Sequence, residues 1–328
     1  MNGGEIQEAT APRRSPPETG GLELRQEAPG RRRFLLPAAL FVATLATTLW
    51  VGGALGIAAE APELFRDSEG SRSGLQWAVL WIGYGIPYSF SLLLILLCHE
   101  LGHYLTARHY RVDASLPYFL PMPFTMVGTL GAFIRIRSPF PNRRALIDVG
   151  LAGPIAGFLV CLPFLAAGVA SSRPGAMAAG GLQFGEPILF EWFASAFGPV
   201  VPDGQVLYLS PMGLAAWFGL LVTAINLLPM GQLDGGHALY AVLRGRAARF
   251  SKVVHLLMFP LAVWSPTWLV WGLLCLLLGA RRPHPPTLDD SIPLGRSRQL
   301  LAAAGVVTFV LCFTPEPIIM DWGMLFGS

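Results

Sequence analysis

Two histidines and a glutamate stand close together in an apolar stretch of the sequence, in the motif HELGH at 99–103. Residues four apart lie on one face of a helix, so the imidazoles of His99 and His103 can reach the same metal ion. Glu100 stands beside them, where it can take a proton from a water molecule at that ion. Zinc lowers the pKa of a water that it binds from about 15.7 towards 7. The motif therefore predicts a hydrolytic zinc site.

The alternative is a chance match among ordinary polar residues of a helix. The surroundings of the motif argue against chance, because the residues on either side are apolar enough for a membrane-spanning helix. Three ionisable groups inside or at the edge of such a helix carry a large insertion cost, and groups of this kind usually serve a function.

A third ligand must come from elsewhere, since a hydrolytic zinc site usually has three protein ligands and one open position. The best candidate is Asp234, in the segment NLLPMGQLDGGH at 226–237, although it also fits as the N-cap of a helix that begins near Gly236. His237 competes as a ligand, but the residues alone favour a supporting polar role. Asn226 can donate hydrogen bonds to a substrate carbonyl or oxyanion, or serve as an amide that packs between helices.

The composition places these residues in an integral membrane protein. Of 328 residues, 53% are hydrophobic and 13% are charged, against about a quarter charged in soluble domains. A net charge of +3 without a basic block gives no electrostatic footprint for nucleic acid. The four cysteines lack the paired spacing of a zinc or disulfide framework, and we interpret them as small buried hydrophobic residues.

Apolar runs of transmembrane length predict an all-α polytopic membrane protein with six or seven transmembrane helices. Pro260 and Pro266 break the fifth run, which predicts two short helices there. The runs occupy Phe34 to Ala59, Gly85 to Ala107, Ala145 to Ala170, Pro211 to Leu228, Val253 to Ala280 and Leu300 to Phe313. The third run holds a patch of small residues, GLAGPIAG at 150–157, that allows close helix packing.

Charges next to these runs set the expected orientation. Arginines at 31–33 precede the first run and an acidic stretch at 60–69 follows it, which predicts a cytoplasmic N-terminus by the positive-inside rule. Basic residues also follow the second and fourth runs. The predicted metal site then lies towards the cytoplasmic side, and we expect the membrane to be a bacterial inner membrane.

Between the second and third runs, the segment at about 112–144 is rich in Pro and Gly yet too apolar for a solvated loop. Within it, residues 128–137 (GTLGAFIRIR) alternate as a strand does. Non-helical backbone at membrane depth is tolerated only beside protein or a water-filled cavity. We therefore predict a short re-entrant, β-like loop near the metal site.

The two motifs together resemble the site-2 protease family of intramembrane zinc metalloproteases, of the peptidase M50 type. The resemblance implies one zinc ion bound by His99, His103 and Asp234, with Glu100 as the general base. It also implies regulated intramembrane proteolysis, in which peptide bonds within or near the transmembrane helices of membrane protein substrates are cut.

The family resemblance extends to the re-entrant segment, GTLGAFIRIRSP at 128–139. It implies a loop beside the active site, with Gly128, Gly131 and Phe133 as candidate residues that clamp the substrate. An unpaired strand edge there could hold a substrate as an extended chain by β-augmentation.

The expected organisation follows from these assignments. Residues 1–33 form a disordered cytoplasmic tail, and 34–328 form a polytopic membrane domain with a protease core at about 85–246 and C-terminal helices at about 253–314. No region resembles a PDZ domain, and the loop at 171–210 has no room for one. The chain is therefore more similar to the PDZ-lacking branch of the family, known from bacteria and plastids.

Two other functions fit the same residues less well. A catalytically silent protein of the same fold could bind membrane partners, although it would not need the base Glu100. A zinc transporter would favour polar groups along a path through the membrane, whereas the ionisable groups here cluster at one depth. The expected partners are a transmembrane protein substrate and membrane lipid, without nucleic acid. The oligomeric state is left open.

Overall fold

The computed structural model of the chain describes residues 32–61, 73–176, 183–263, 266–277 and 285–319. Helices make up most of these residues, which confirms the predicted helical class. They are α1 Arg32–Glu60, α2 Gly74–His109, α3 Arg143–Ala170, α4 Ile188–Phe197, α5 Pro211–Leu227, α6 Asp234–Leu243, α7 Ala247–Leu261, α8 Thr267–Leu277 and α9 Arg296–Cys312. The predicted tail at 1–33 lies outside the described residues, except that α1 already begins at Arg32.

Three helices among the described residues are long and apolar enough to cross a membrane, judged by length and composition: α1, α2 and α3. The helices α5 and α8 are apolar but shorter. With 36 residues, α2 extends about 54 Å, well beyond a hydrocarbon layer of about 30 Å. It therefore begins before the predicted start at Gly85. The total of six or seven spans stays a prediction.

Local sequence fixes where α2 and α3 begin. Ser73 and Gln76 form a reciprocal capping box at the start of α2. At α3, the Asn142 side chain accepts hydrogen bonds from the backbone N–H groups of Arg144 and Ala145, each at 3.0 Å. This cap starts α3 two residues before the predicted Ala145.

The helices α2 and α3 pack closely because glycines lie at their crossing. A Cβ atom at Gly102 of α2 would lie 2.4 Å from the carbonyl oxygen of Ala152 on α3. A Cβ at Gly157 would lie 3.1 Å from the Cβ of His99. The small-residue patch at 150–157 thus permits the close approach that its sequence predicted.

A β-hairpin follows α2 and precedes α3. Its strands, β1 Tyr118–Pro121 and β2 Thr129–Phe133, are antiparallel, with Tyr118 opposite Phe133. A further bridge joins Ala114 to Ile136. β2 covers residues 129–133 of the stretch at 128–137 that was predicted as a strand, and β1 occupies one of its edges, a pairing that the alternation did not indicate. The depth of this hairpin in a membrane stays a prediction.

The turn of the hairpin is attached to the first two helices. Thr47 of α1 donates a hydrogen bond from its hydroxyl to the Gly128 carbonyl at 2.7 Å. Tyr88 of α2 donates one to the Val127 carbonyl at 2.9 Å. Gly128 has a φ of +79°, and a Cβ there would lie 2.9 Å from the Thr47 carbonyl oxygen. Close approach and backbone conformation therefore both require glycine at this turn.

Two more small sheets modify the purely α-helical expectation. The strands β3 Arg173–Ala176 and β5 Gln205–Tyr208 pair within the connection at 171–210. The strands β4 Gln183–Phe184 and β6 Ile318–Ile319 pair across a long stretch of sequence. These strands were missed because each is at most four residues long, too short for a periodic pattern.

The apolar core lies between α2, α3 and α5, where Leu92, Leu165 and Trp217 are buried. Further along the chain, α7 ends at Leu261 and α8 begins at Thr267, so the proline-containing run forms two helices as predicted. Three cysteines are buried and Cys98 is partly buried, all with free thiols. Their packing confirms the interpretation as apolar filling rather than a disulfide framework.

Candidate metal centre

The helix α2 brings the HELGH motif into the protein interior. His99, Glu100 and His103 are 3%, 5% and 7% exposed, although all three are polar. Their four-residue spacing puts both imidazoles on the face that packs against α3. Buried polar groups of this kind require partners.

Those partners are mutual and include Asp234, at the start of α6. The Nε2 atoms of His99 and His103 lie 3.1 Å apart. Asp234 Oδ2 lies 3.3 Å from His99 Nε2 and 3.2 Å from His103 Nε2. Three potential ligand atoms thus form a nearly equilateral triangle. Among the described residues, this is the group of side chains that could hold a metal ion.

The size of this triangle fits zinc. Two ligand atoms at the usual 2.0–2.1 Å from a tetrahedral zinc ion lie roughly 3.3 Å apart. The observed separations of 3.1–3.3 Å agree with that value. Two imidazoles and one carboxylate also match the ligand types of hydrolytic zinc sites and leave a fourth position for water or substrate.

Neighbouring groups orient the two imidazoles. His103 Nδ1 lies 2.8 Å from the Val149 carbonyl oxygen, which fixes the proton on Nδ1 and leaves the Nε2 lone pair for a metal. Asn226 Nδ2 lies 3.2 Å from His99 Nε2, so the predicted oxyanion donor is beside the site. A Cβ atom at Gly153 would lie 2.1 Å from His103 Nε2, so α3 needs glycine there.

Asp234 is not the N-cap that the alternative interpretation required. The helix α6 begins at Asp234 itself, after Leu233, and no side chain caps it. Burial alone would raise the pKa of the Asp234 carboxyl, but His103 and His99 beside it hold this pKa well below its usual range. The positive end of the α6 dipole also favours the charge of this carboxylate.

The three donors line a cavity of about 190 Å³. Gln232 and His237, both in the polar stretch around Asp234, also line it. His237 is not in the three-donor group and packs against Phe140, with ring centroids 6.1 Å apart.

The hairpin forms another wall of the cavity. Ala132, Phe133 and Ile134 line it, and the backbone N–H of Ile134 bonds the carboxylate of Glu100. The next residue, Arg135, accepts a backbone hydrogen bond from Ser115 on the opposite side of the strand, at 3.0 Å. Since consecutive residues of a strand point their backbone groups to opposite edges, the edge at Ile134 faces the site.

Two of the three predicted clamping residues are placed differently. Phe133 lines the cavity, whereas Gly128 and Gly131 are not among its lining residues. Gly128 packs on α1, and Gly131, with a φ of +96°, has open space where a Cβ would be.

Comparison with protein-family models matches residues 87–264 to peptidase family M50. The match covers more than half of the chain and includes every residue of the donor triangle. The chain belongs to peptidase family M50. Membership confirms the resemblance to the site-2 protease family that the two motifs indicated.

Two curated relatives are plant proteins. "Probable zinc metalloprotease EGY1, chloroplastic" of Oryza sativa subsp. japonica is 30% identical over 326 residues, 94% of this chain and 55% of the relative. Its Arabidopsis thaliana counterpart is 29% identical over 86% of this chain and 53% of the relative. The chain spans about half the length of these relatives. Their names say chloroplastic, so they give no support to the predicted bacterial inner membrane.

Proposed function

We propose that the chain is a zinc-dependent intramembrane endoprotease that cuts membrane proteins within or near their transmembrane helices. The observation that carries this proposal is the triangle formed by His99, His103 and Asp234. Both histidines, and Glu100 between them, lie on α2, a helix long enough to cross a membrane. Family membership and relatives named as zinc metalloproteases support the same reaction.

In this proposal one zinc ion is held by His99 Nε2, His103 Nε2 and the Asp234 carboxylate. When bound, the ion supplies Lewis acidity, which polarises the scissile carbonyl and makes a water molecule more acidic. Val149 keeps His103 in the tautomer that leaves its Nε2 free.

Glu100 is the proton carrier of the proposed hydrolysis. Its carboxylate accepts a proton as water attacks the scissile carbonyl, and it then delivers that proton to the leaving amine. The Asn226 amide donates a hydrogen bond to the oxygen that becomes negatively charged. Its position 3.2 Å from His99 Nε2 supports this role over a purely packing amide.

The substrate strand is proposed to lie along the edge of β2 that faces the cavity. A peptide bond in a helix is shielded, so the substrate must be extended before it is cut. The backbone groups of Ala132 and the carbonyl of Ile134 can bind it by β-augmentation, while Phe133 contacts its side chains. Residues Gly128 and Gly131 then shape the hairpin rather than touch the substrate.

The proposed membrane arrangement has six or seven spans, of which α1, α2 and α3 are the longest apolar candidates. The N-terminus and the metal site are on the cytoplasmic side in this arrangement, as the basic residues flanking the apolar runs indicate. The binding of one zinc ion, the use of membrane proteins as substrates and the regulation of their cleavage are parts of the same proposal.

Cleavage of a tagged model substrate with a Gly- and Pro-containing transmembrane helix tests the proposal. The purified chain in detergent is compared with Glu100→Gln, with added chelator, and with Glu191→Gln, an exposed carboxylate on α4, as the matched control. We expect wild type and Glu191→Gln to cut, and Glu100→Gln to lose at least about 10²-fold in rate with its zinc retained. Equal cleavage by Glu100→Gln would overturn the assignment, and zinc binding without cleavage would favour a silent protein of the same fold.

A further inference from the structure

A segment beyond the family-matched region packs against the wall of the metal cavity. We name residues 285–298, which precede and begin α9, the strap. Leu288 and Asp289 donate backbone hydrogen bonds to the carbonyls of Phe140 and Pro141, at 3.0 and 3.1 Å. Phe140 lines the metal cavity, so the strap is attached directly to a wall of the site.

One buried guanidinium joins the strap to two helices. Arg143, the first residue of α3, is 4% exposed. Its Nε and Nη2 atoms donate to the strap carbonyls of Asp290 and Ile292, at 3.0 and 2.8 Å. Its Nη1 atom donates to the Ala241 carbonyl of α6 at 2.8 Å. The donors of a planar guanidinium have a fixed geometry. These three hydrogen bonds therefore hold the strap, α3 and α6 in one arrangement.

A second link joins the strap to α6. The Tyr240 hydroxyl donates to one oxygen of the Asp290 carboxylate at 2.6 Å, and the Thr287 hydroxyl donates to the other at 2.6 Å. Tyr240 and Ala241 lie within two turns of Asp234 on this ten-residue helix. A helix this short moves as one body, so holding its second half also orients the Asp234 carboxylate.

A third link lies beside His103. Arg298, at the end of the strap, bonds the Asp148 carboxylate at 2.7 Å and the hydroxyl of Tyr110 at 3.0 Å. Tyr110 directly follows α2, and Asp148 directly precedes Val149, whose carbonyl orients His103. The same contact therefore joins the residue that follows α2 to α3, next to Val149.

We propose that the strap positions the metal ligands, with Arg143, Asp290 and Tyr240 as positioning residues that set where Asp234 lies relative to His99 and His103. This inference rests on the proposed zinc site. None of these residues touches the donor triangle. They act by keeping α6 against α3, and their loss is expected to open the triangle and weaken zinc binding, as loss of groups that support metal ligands does by about 10- to 100-fold.

The test is the zinc affinity of the full-length chain in detergent, measured by competition with a chromogenic chelator. Arg143→Lys keeps the positive charge but cannot reach all three carbonyls, and Tyr240→Phe removes one hydroxyl. We expect zinc affinity to fall about 10- to 100-fold in Arg143→Lys and by a smaller factor in Tyr240→Phe. The matched control is Arg173→Lys on β3, an exposed arginine away from the strap, which should bind zinc as wild type does.

A visible spectrum of the cobalt-loaded protein separates positioning from a merely structural role. Loss of stability alone would lower the melting temperature of both variants and leave the zinc affinity and cobalt spectrum of the folded protein unchanged, which would overturn the proposal. If Arg143→Lys does not fold, Tyr240→Phe decides. Wild type that binds no zinc would instead refute the proposed function, and the strap proposal with it.

Discussion

At the scale of single residues, the metal centre depends on glycines, which have no Cβ atom, as much as on its ligands. His103 occupies the volume that a Cβ atom at Gly153 would take, 2.1 Å from Nε2. His99 packs in the same way on Gly157, where a Cβ would lie 3.1 Å from its own Cβ. The two glycines of α3 therefore allow both imidazoles to face Asp234.

Substituting Gly153 by alanine should displace the His103 ring. Overpacking of this kind costs about 1–3 kcal/mol, and the shifted Nε2 should weaken zinc binding at least about tenfold. Gly83→Ala is the matched control, because Gly83 lies in α2 with open space around it. Zinc titration of both variants checks this, and wild-type affinity in Gly153→Ala would contradict the packing argument.

The sequence predicted the chemistry of local residues better than that of distant ones. Helical periodicity alone brought His99 and His103 together, because their spacing is local. From the residues alone, Asp234 was ambiguous between a ligand and an N-cap, and only the family resemblance implied the ligand. The structure places its carboxylate in the donor triangle and starts α6 at Asp234 itself. The parts played by Val149 and Gly153 depend on how α3 crosses α2, which no local pattern encodes.

At the scale of elements, the hairpin connects the membrane helices to the cavity. Its turn is bonded to α1 through Thr47 and to α2 through Tyr88. Its second strand contributes Ala132 to the wall of the site, and Ile134, which directly follows that strand, lines the site as well. A change at the turn should therefore reach the substrate edge without touching the donor triangle.

Gly128→Ala tests this connection. The new Cβ would combine an unfavourable positive φ with contacts of 2.9 Å to the backbone of α1, so the hairpin must shift. We expect kcat/KM for the model substrate to fall about tenfold or more while zinc affinity is unchanged. Gly204→Ala has a similar φ of +76° in open space, and it should cut as wild type does. Loss of zinc in Gly128→Ala would show that the hairpin supports the metal instead.

Long elements were predictable from the sequence and short ones were not. Apolar runs revealed α1, α2 and α3 because a membrane-length helix needs many consecutive apolar residues. The pairing of β1 with β2 was missed, and so was β4 with β6, because their stability comes from a distant partner. The strap was missed for the same reason, since its hydrogen bonds join it to residues that are distant in the sequence, such as Phe140, Arg143 and Tyr240.

At the scale of the whole molecule, charge next to the apolar runs predicts which parts share a side of the membrane. We expect the turn after α6, with Arg244 and Arg246, to lie with the metal site on the cytoplasmic side. We expect the connection that carries β3 and β5 to lie on the other side. The two regions should therefore be accessible from opposite faces.

Cysteine labelling in sealed vesicles of known orientation tests this arrangement. Asp203→Cys and Gly245→Cys place a thiol at exposed positions, one in each region. A membrane-impermeant maleimide should label Gly245→Cys from the cytoplasmic side and Asp203→Cys from the opposite side. The wild-type chain is the control, because it shows how much the native thiols are labelled. Labelling of both new thiols from one side would contradict the predicted topology.

The most direct test of the account is the zinc content of the purified chain, measured by elemental analysis. Wild type and Glu100→Gln should carry about one ion per chain, since Glu100 is not a ligand in this account. His99→Ala, His103→Ala and Asp234→Ala should each lose most of it, whereas Asp203→Ala, at an exposed carboxylate, should not. Full zinc content in Asp234→Ala, or none in wild type, would contradict the proposed metal centre.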